Sequence, residues 1–441
     1  MADPRREDRL YPDRAEDQRS RFQRDRDRII YTSAFRRLAG VTQVVSAAEG
    51  HIFHNRLTHT LEVAQIARRI AEKLLREEAK NTIEAAGELD AEVVEAAALS
   101  HDLGHPPFGH IAEEELHQLA SAQGLKDGFE GNAQSFRIVT KLSRRSAKFP
   151  GLNLTRATLN AILKYPWLHT SRLHKWGAYS SERSDYQWAR ASTPGPEKSA
   201  EAELMDWSDD IGYAVHDVED FYRAGFIPLD RLLTDDREVD RFLDNVFERR
   251  KRQHNLSKYP EKDLSSAFQE LRRFFAGVVP ASLLQPYSGT LAQRSALRTL
   301  TSILIGRYVT AIRLRKPGSR QQKRVSIEPA AEFEVQILKQ LAWTYVIENP
   351  SLTTQQYGQR RVIRELFEIF VDAARSGNRM IFPIPYAELL EEADRTTTKK
   401  DLGRIRAVVD MIAGMTEQAA INMHRRLTGA SLGSVTDIIV R

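Results

Sequence analysis

Apolar residues recur at helical spacing along most of the chain. Leu57, Leu61, Ala64, Ile66, Ala67, Ile70 and Leu74 predict an amphipathic helix of roughly five turns. Ala91 to Leu99, dense in Ala and Val, predicts a buried helix, and nearly everything after it keeps the helical period. Strand patterns are scarce. Val309 to Leu314 and Val325 to Ile327 flank Lys316-Pro317-Gly318-Ser319, which predicts one small β-hairpin with a Pro-Gly turn. The expected class is therefore mostly α with one small β element. Ser192 to Ser199, rich in Pro, Gly and Ser, predicts an internal loop, and Asp235 to Pro260 is the expected zone for a change of subdomain. Residues 1–28 interleave nine Arg with eight Asp or Glu, which predicts a mobile arm that orders only against a partner surface.

Composition narrows the class. A chain of 441 residues with 41% hydrophobic and 28% charged residues can bury a large core without disulfides. No stretch approaches the roughly 18 consecutive apolar residues of a membrane span, and the chain starts in charge rather than in an apolar signal core, so a cytoplasmic protein with no membrane contact is expected. The absence of cysteine excludes a disulfide scaffold, a thiol nucleophile and any Cys-ligated metal. A net charge of +5 is too small to imply a polyanionic partner unless the basic residues cluster.

A metal site here has to come from His, Asp and Glu. Seven of the twelve histidines lie between His51 and His117. His101 and Asp102 directly follow the Ala-rich helix, where one helix end can offer an imidazole nitrogen and a carboxylate oxygen to one divalent ion. His59 sits on the preceding helix. A fourth ligand is expected from Trp207 to Asp217, where Asp209, Tyr213 and Asp217 are spaced four apart on one helix face, with Asp206 and Asp210 as alternatives to Asp209. Leu103-Gly104-His105-Pro106-Pro107-Phe108-Gly109-His110 forces a loop after the ligands and sets two more histidines beside them.

Seven blocks in order carry a resemblance: Gln23 to Ile30, Ser33 to Leu38, Thr42-Gln43-Val44, His54 to His59, the His101 to His110 loop, Asp209 to Tyr213, and Asp410 to Thr416. Together they resemble the HD-domain phosphohydrolases, within them the bacterial dGTPase-like deoxynucleoside triphosphate triphosphohydrolases, related to the mammalian SAM-and-HD-domain dNTPase. Met411 stands where that family often has Tyr, and Pro106-Pro107 replaces the Gly-Pro of the mammalian enzyme. The resemblance implies an HD helical bundle over 29–235 and a helical C-terminal region over 236–441 that completes the pocket.

It also implies metal ligation by His59, His101, Asp102 and Asp209. The ion would be Mg or Mn, with Co, Ni, Fe and Zn also suited to such nitrogen and oxygen donors. His110 and Glu113 would share a helix face if a helix restarts after Gly109, and a carboxylate behind an imidazole fixes its tautomer for proton transfer. Glu114 and Glu115 fit an acidic first turn equally well, and His117 reads as structural. Arg56, one turn before His59, and His105 are expected at the phosphates. Lys164 is either a phosphate cation or an ordinary helix-ending lysine. Tyr213 offers a ring that a ribose 2′-OH would strike, and by the resemblance Gln43 and Asp217 meet the sugar 3′-OH.

The implied reaction is metal-dependent hydrolysis of dNTPs, dGTP or several, to deoxynucleoside and inorganic triphosphate. The alternatives are another HD nucleotide phosphohydrolase, such as a guanosine tetraphosphate hydrolase or a nucleotidase, and a nucleic-acid-binding protein that uses the pocket as a regulatory site. Relatives suggest a second dNTP as allosteric effector and single-stranded DNA as further partners. Seven Lys or Arg within 306–325, and Arg249 to Arg252, could bind phosphate, although a solvated loop or an intersubunit salt-bridge surface is the simpler account. Amphipathic surface on Leu402 to Met415 and Ile421 to Leu427 points to a homo-oligomer, expected as a hexamer built from dimers with the arm on a neighbour. No Gly-x-x-x-x-Gly-Lys loop and no His-Glu-x-x-His occurs.

Overall fold

The computed structural model describes residues 5–13, 17–44, 53–170, 174–315, 323–395 and 400–431. Its architecture is helical, with a single two-stranded sheet among the described residues. Asn55 opens the Arg56–Glu77 helix, its side chain accepting from Thr58 N at 3.0 Å. The face carrying His59, Val63, Ile66, Ala67, Ile70 and Leu74 is buried, whereas Leu61, expected on that face, is exposed. The Ala91–Ser100 helix is capped by Asp90 and buried from Val93 to its end, so small Ala side chains let neighbouring helices approach on every side. Around it pack the Arg21–Ile30, Arg56–Glu77, Arg156–Ile162 and Ala200–Arg223 helices.

The hairpin pairs Ile312–Leu314 with Val325–Ile327 antiparallel, Arg313 opposite Ser326. Val309 and Thr310 finish the Leu291–Thr310 helix instead of starting the strand, and the expected Pro-Gly turn lies outside the described residues. Residues 192–198 form the expected loop, held by Arg190 donating to the carbonyls of Gly195 and Glu197.

Two large apolar clusters and a small one around Ala133, Trp176 and Tyr179 form the core of the described residues. One runs from Phe22 to Val346 and is continuous through Val239, Phe242, Leu256 and Leu264, so charge-rich residues 235–260 are helix caps and helix surface, not a break in the core. The other joins Phe108, Leu116 and Phe129 to Ile363, Phe367, Val408, Ile412 and Met423. The late helices, Lys400–Ala413 and Glu417–Leu427, therefore cover the His110–Ala122 and Pro350–Ser376 helices of their own chain. Their amphipathic faces do not by themselves demand a partner subunit.

The N-terminal segment departs from the expected arm. Ser20 and Gln23 form a reciprocal capping box at the start of the Arg21–Ile30 helix. The carboxylate of Asp25, fully buried, accepts from Arg9 at 2.6 Å and from both the backbone N (2.8 Å) and hydroxyl (2.6 Å) of Thr155. Arg28 donates to the carbonyls of Leu152 and Asn153 and pairs with Asp13. Backbone bonds from Arg156 to Asp8 and from Ala157 to Arg6 complete the seam. Among the described residues, Arg9, Asp13, Asp25 and Arg28 have intrachain partners, which a composition-based reading counts only as solvated charge. Replacing Asp25 with Ala leaves the buried Thr155 N–H without its acceptor and removes one of the partners of Arg9, so a loss of about 2 kcal/mol in denaturant unfolding is expected. Unchanged stability would show that the segment is not docked.

Candidate active site

The end of the Ala91–Ser100 helix, the first turn of Arg56–Glu77 and the middle of Ala200–Arg223 meet at one buried point. His59 Nε2 lies 3.1 Å and His101 Nε2 3.4 Å from Asp209 Oδ1, and the ligand atoms of these three residues all fall within 4.8 Å of one another. Gly212 permits this closeness, because a Cβ there would sit 2.9 Å from Val63 and 3.1 Å from the His59 ring. His101 Nδ1 faces the Ala98 carbonyl at 2.6 Å, which fixes that nitrogen as the donor and turns the Nε2 lone pair inward, where it has no aligned hydrogen bond among the described residues.

Asp102 stands at the edge of this trio, Oδ1 3.5 Å from His101 Nε2 and 3.0 Å from His105 Nδ1. Its other oxygen accepts from Arg56 Nη1 at 2.8 Å. Arg56, fully buried, gives Nη1 to Asp102 and is not among the residues that line the cavity, while its Nε and Nη2 have no hydrogen bond among the described residues. Of the alternatives to Asp209, Asp206 pairs with Lys164 and Lys198, and Asp210 with Lys339 at 2.7 Å. Lys164 is no ordinary helix-ending lysine, since Nζ contacts Asp209 Oδ2 at 2.7 Å as well as Asp206.

The electrostatics fit a cation. Burial opposes ionisation of Asp102 and Asp209, yet Arg56 beside the first and Lys164 beside the second hold both well below the usual carboxylate range. Burial pushes His59 down, keeping its imidazole neutral as ligation requires. His101 also loses hydration on burial, but the two carboxylates outweigh this and push it up to about 9, a demand for positive charge that a divalent ion meets. A buried, unaligned imidazole nitrogen among a second imidazole and ionised carboxylates is a donor set suited to a divalent metal.

Beside the trio the chain turns sharply. Phe108 and Gly109 both have positive φ (66° and 59°), after which the His110–Ala122 helix starts at once. His110, 64% exposed, places Nδ1 2.8 Å from Glu113 Oε2. Glu113 Oε1 accepts from Gly131 N and Lys175 Nζ, each at 3.0 Å. Burial raises the Glu113 carboxyl, but Lys175 and His110 hold it well below its ordinary value. Burial, helped by Arg56, lowers His105 to about 4, so its ring, 5.5 Å from that of His110, is neutral. Glu114 and Glu115 instead pair with Arg360 and Arg364 of the Pro350–Ser376 helix, and His117 bonds Phe129.

A cavity of about 1320 Å³ opens over these groups, lined by Gln43, His101, Asp102, His105, His110, Lys164, Asp209, Tyr213 and Asp217. Gln43 is buried with neither amide atom bonded among the described residues. Burial, with Asp220 nearby, pushes Asp217 up to about 8. The Tyr213 ring lies 4.9 Å from that of His59. Lys175 was missed in the sequence, since His174-Lys175-Trp176-Gly177 has no informative spacing. The Arg249 to Arg252 cluster is largely spent within the chain: Arg249 on Gln340 and Glu348, Arg250 on the carbonyls of Ser257 and Tyr259, and Lys251 on Glu248. Arg315 and Lys323 reach the cavity, while Lys316 and Arg320 lie outside the described residues.

Residues 56–212 match the HD domain and residues 325–426 the phosphohydrolase-associated domain. A deoxyguanosinetriphosphate triphosphohydrolase-like protein of Corynebacterium efficiens is 38% identical over 432 residues, covering 94% of this chain and 93% of that protein. Proteins of the same description from Streptomyces coelicolor and a Caulobacter species are 35% and 34% identical, covering 93% and 95% of this chain and 93% of each relative. The chain belongs to the deoxyguanosinetriphosphate triphosphohydrolase-like family of HD-domain proteins. As a member it is an HD-type nucleotide phosphohydrolase, and its His/Asp cluster can hold a divalent metal. No helix among the described residues is long and apolar enough to cross a membrane.

Two measurements check the centre of this HD protein. Alanine at His59, His101 or Asp209 should each remove the bound metal in elemental analysis of folded protein. Stoichiometric metal in all three variants would move the site elsewhere. The second concerns the seam between the Arg56–Glu77 and Ala200–Arg223 helices. There His54 Nδ1 meets Asp220 at 2.7 Å and Nε2 meets Glu62 at 3.2 Å. Burial lowers the His54 pKa, but the bonds to Asp220 and Glu62 outweigh it and push it from 6.5 up to about 10. A raised folded value stabilises the protonated form, so this contribution is complete below about pH 6.5 and is lost as pH climbs toward 10. The melting temperature should fall across that window, and less steeply for His54→Gln. Parallel profiles for the two proteins would refute the assignment.

Proposed function

We propose that this protein hydrolyses deoxynucleoside triphosphates at the α-phosphorus, releasing deoxynucleoside and intact inorganic triphosphate. The observation that carries the reading is one cavity lined by His101, Asp102, Asp209, His110, Gln43, Tyr213 and Asp217, with His59 packed against Asp209 and Glu113 against His110 directly behind it. A divalent ion held by His59, His101, Asp102 and Asp209, with Mg or Mn as first candidates and Co, Ni, Fe or Zn also matched, supplies Lewis-acid stabilisation of phosphate charge. Lys164 and His105 bind phosphate oxygens, and Arg56 acts on them through Asp102. Water adds to the α-phosphorus in line with the 5′ oxygen, the P–O5′ bond breaks, and His110 Nε2 moves the proton while Glu113 holds Nδ1. Tyr213 excludes the ribose 2′-OH, and the unbonded Gln43 amide with Asp217 takes the 3′-OH.

The cavity extends well beyond these groups to Glu332, Gln336, Lys339 and Trp343, which supports a C-terminal region over 236–441 that completes the pocket of an HD core over 29–235, with one apolar core running across both. Lys258, Arg315 and Lys323 on its wall suit a second dNTP as effector or single-stranded DNA. Exposed Met380 and Ile384 favour assembly into a homo-oligomer, a hexamer by the family resemblance, in the cytoplasm. The test is incubation with each dNTP, singly and in mixtures, with Mg or Mn, and chromatography of the products. Triphosphate and deoxynucleoside in equal amounts are expected. Orthophosphate or pyrophosphate as the primary product, hydrolysis of guanosine tetraphosphate in preference to dNTPs, or nucleic-acid binding without turnover would overturn the reading.

A further inference from the structure

We infer that Glu417, more than 300 positions beyond the His101 to His110 loop, is the positioning residue that sets both sugar and proton-transfer groups in place. Its Oε1 accepts from Thr42 N at 2.8 Å and from Phe108 N at 3.2 Å. Thr42 directly precedes Gln43, and Phe108 stands two residues before His110. One carboxylate oxygen thus ties together two loops that reach the cavity from opposite parts of the chain.

A glutamate in the first turn of a helix ordinarily faces solvent and favours the helix dipole from outside. Glu417 opens the Glu417–Leu427 helix, yet it is buried and turned inward. The approach is built. A Cβ on Gly40 would stand 2.9 Å from Thr416 Cβ and Cγ2, so only glycine lets the Thr416-Glu417 turn reach the Val41–Thr42 backbone. Arg37 closes the other side, donating to the carbonyls of Leu103 (2.7 Å), His105 (2.8 Å) and Met415 (3.1 Å). The Met415 to Glu417 turn is therefore held between the metal-side loop and the Gln43 loop by an arginine on carbonyls and a carboxylate on N–H groups.

Phe108 makes this clamp matter. Its φ of 66° is unfavourable for a residue with a side chain and needs surrounding structure to hold it. The Phe108 ring packs in the cluster with Met411 and Met415, and its N–H is held by Glu417, so both anchors come from the C-terminal helices. Without the carboxylate, two buried N–H groups lose their acceptor and the turn that aims His110 can relax. This inference deepens the proposed function and rests on it for the roles of Gln43 and His110.

The test compares Glu417→Ala, Glu417→Asp and Glu417→Gln in the full-length, metal-loaded protein. Exchange of the Thr42 and Phe108 amides, followed by hydrogen–deuterium mass spectrometry, reads the clamp whatever the substrate is. Both should be protected in the wild type and in Glu417→Gln, which keeps an acceptor oxygen, and released in Glu417→Ala and in Glu417→Asp, which is one methylene too short. Metal content should stay at the wild-type level. In turnover, Glu417→Ala should lose about 10- to 100-fold in kcat, and its preference for a dNTP over the 2′,3′-dideoxy analogue should fall toward that of Gln43→Ala, with Glu417→Gln restoring both. Loss of stability alone moves neither the preference nor the selective exchange. Unprotected amides in the wild type, unchanged exchange in folded Glu417→Ala, or wild-type kcat and preference in that variant each overturn the inference. If Glu417→Ala does not fold, Glu417→Asp with wild-type exchange and kcat does the same. A wild type that turns over no dNTP refutes the functional reading instead, and exchange then decides the clamp.

Discussion

Everything about the site follows from keeping two carboxylates ionised inside the protein. Asp102 and Asp209 are both buried and both held charged. An uncompensated buried charge is costly by several kcal/mol, so the surroundings must deliver cations with hydrogen-bond geometry. Arg56 does this for Asp102 and Lys164 for Asp209, and each comes from a different element packed around the Ala91–Ser100 helix. The buried Ala-rich helix is what brings the Arg56–Glu77 and Ala200–Arg223 helices within ligand distance of its own C-terminal His-Asp pair. Packing and electrostatics are one design here: small side chains set the spacing at which the charges can compensate.

That arrangement leaves the His101 to His110 loop with an unusual task. Its first residues belong to the charged centre, whereas Phe108 belongs to the second apolar cluster with the C-terminal helices. The loop bridges two cores and crosses from one to the other within a few residues, through two successive positive φ angles. Gly104 makes the crossing feasible, since a Cβ there would lie 2.1 Å from the Gly131 carbonyl oxygen. The His110–Glu113 pair is thus mounted on a helix whose other face is covered by Ile363, Phe367, Val408, Ile412 and their neighbours in the second cluster, and its geometry depends on both bodies.

The parts of this structure legible in the sequence are those written in local period or adjacency. The Arg56–Glu77 and Ala91–Ser100 helices, both hairpin strands to within three residues, and the candidate His59, His101, Asp209, His110 and Glu113 groups all announced themselves by spacing, motif or resemblance. Three things did not. Residues 5–28 carry charge alternation with no apolar period, and only the fold reveals that Arg9 and Arg28 have intrachain partners. Lys175 reaches Glu113 across 62 residues and Arg37 reaches Met415 across 378, distances over which a single sequence carries no signal. Arg56 was legible as a cation, yet not as one that gives Nη1 to Asp102, because partner choice is decided by burial and angle, not by proximity in the chain.

The unequal satisfaction of polar groups around the cavity separates structure from recognition. Lys164 and Glu113 have their partners within the protein and are set before any ligand arrives, whereas Arg56 meets Asp102 through Nη1 alone. Gln43 and the inward nitrogen of His101 are buried without aligned bonds among the described residues, and burial pushes Asp217 toward its neutral form. Buried polar atoms left in that condition raise the free energy of the protein by themselves, about 1–3 kcal/mol each, unless something that enters the cavity satisfies them. Hydrogen-bonding groups of a ligand that enters would meet the Gln43 amide and the Asp217 carboxyl, both of which line the cavity. The same cavity is therefore most stable when filled, and the groups it leaves unsatisfied define what must fill it.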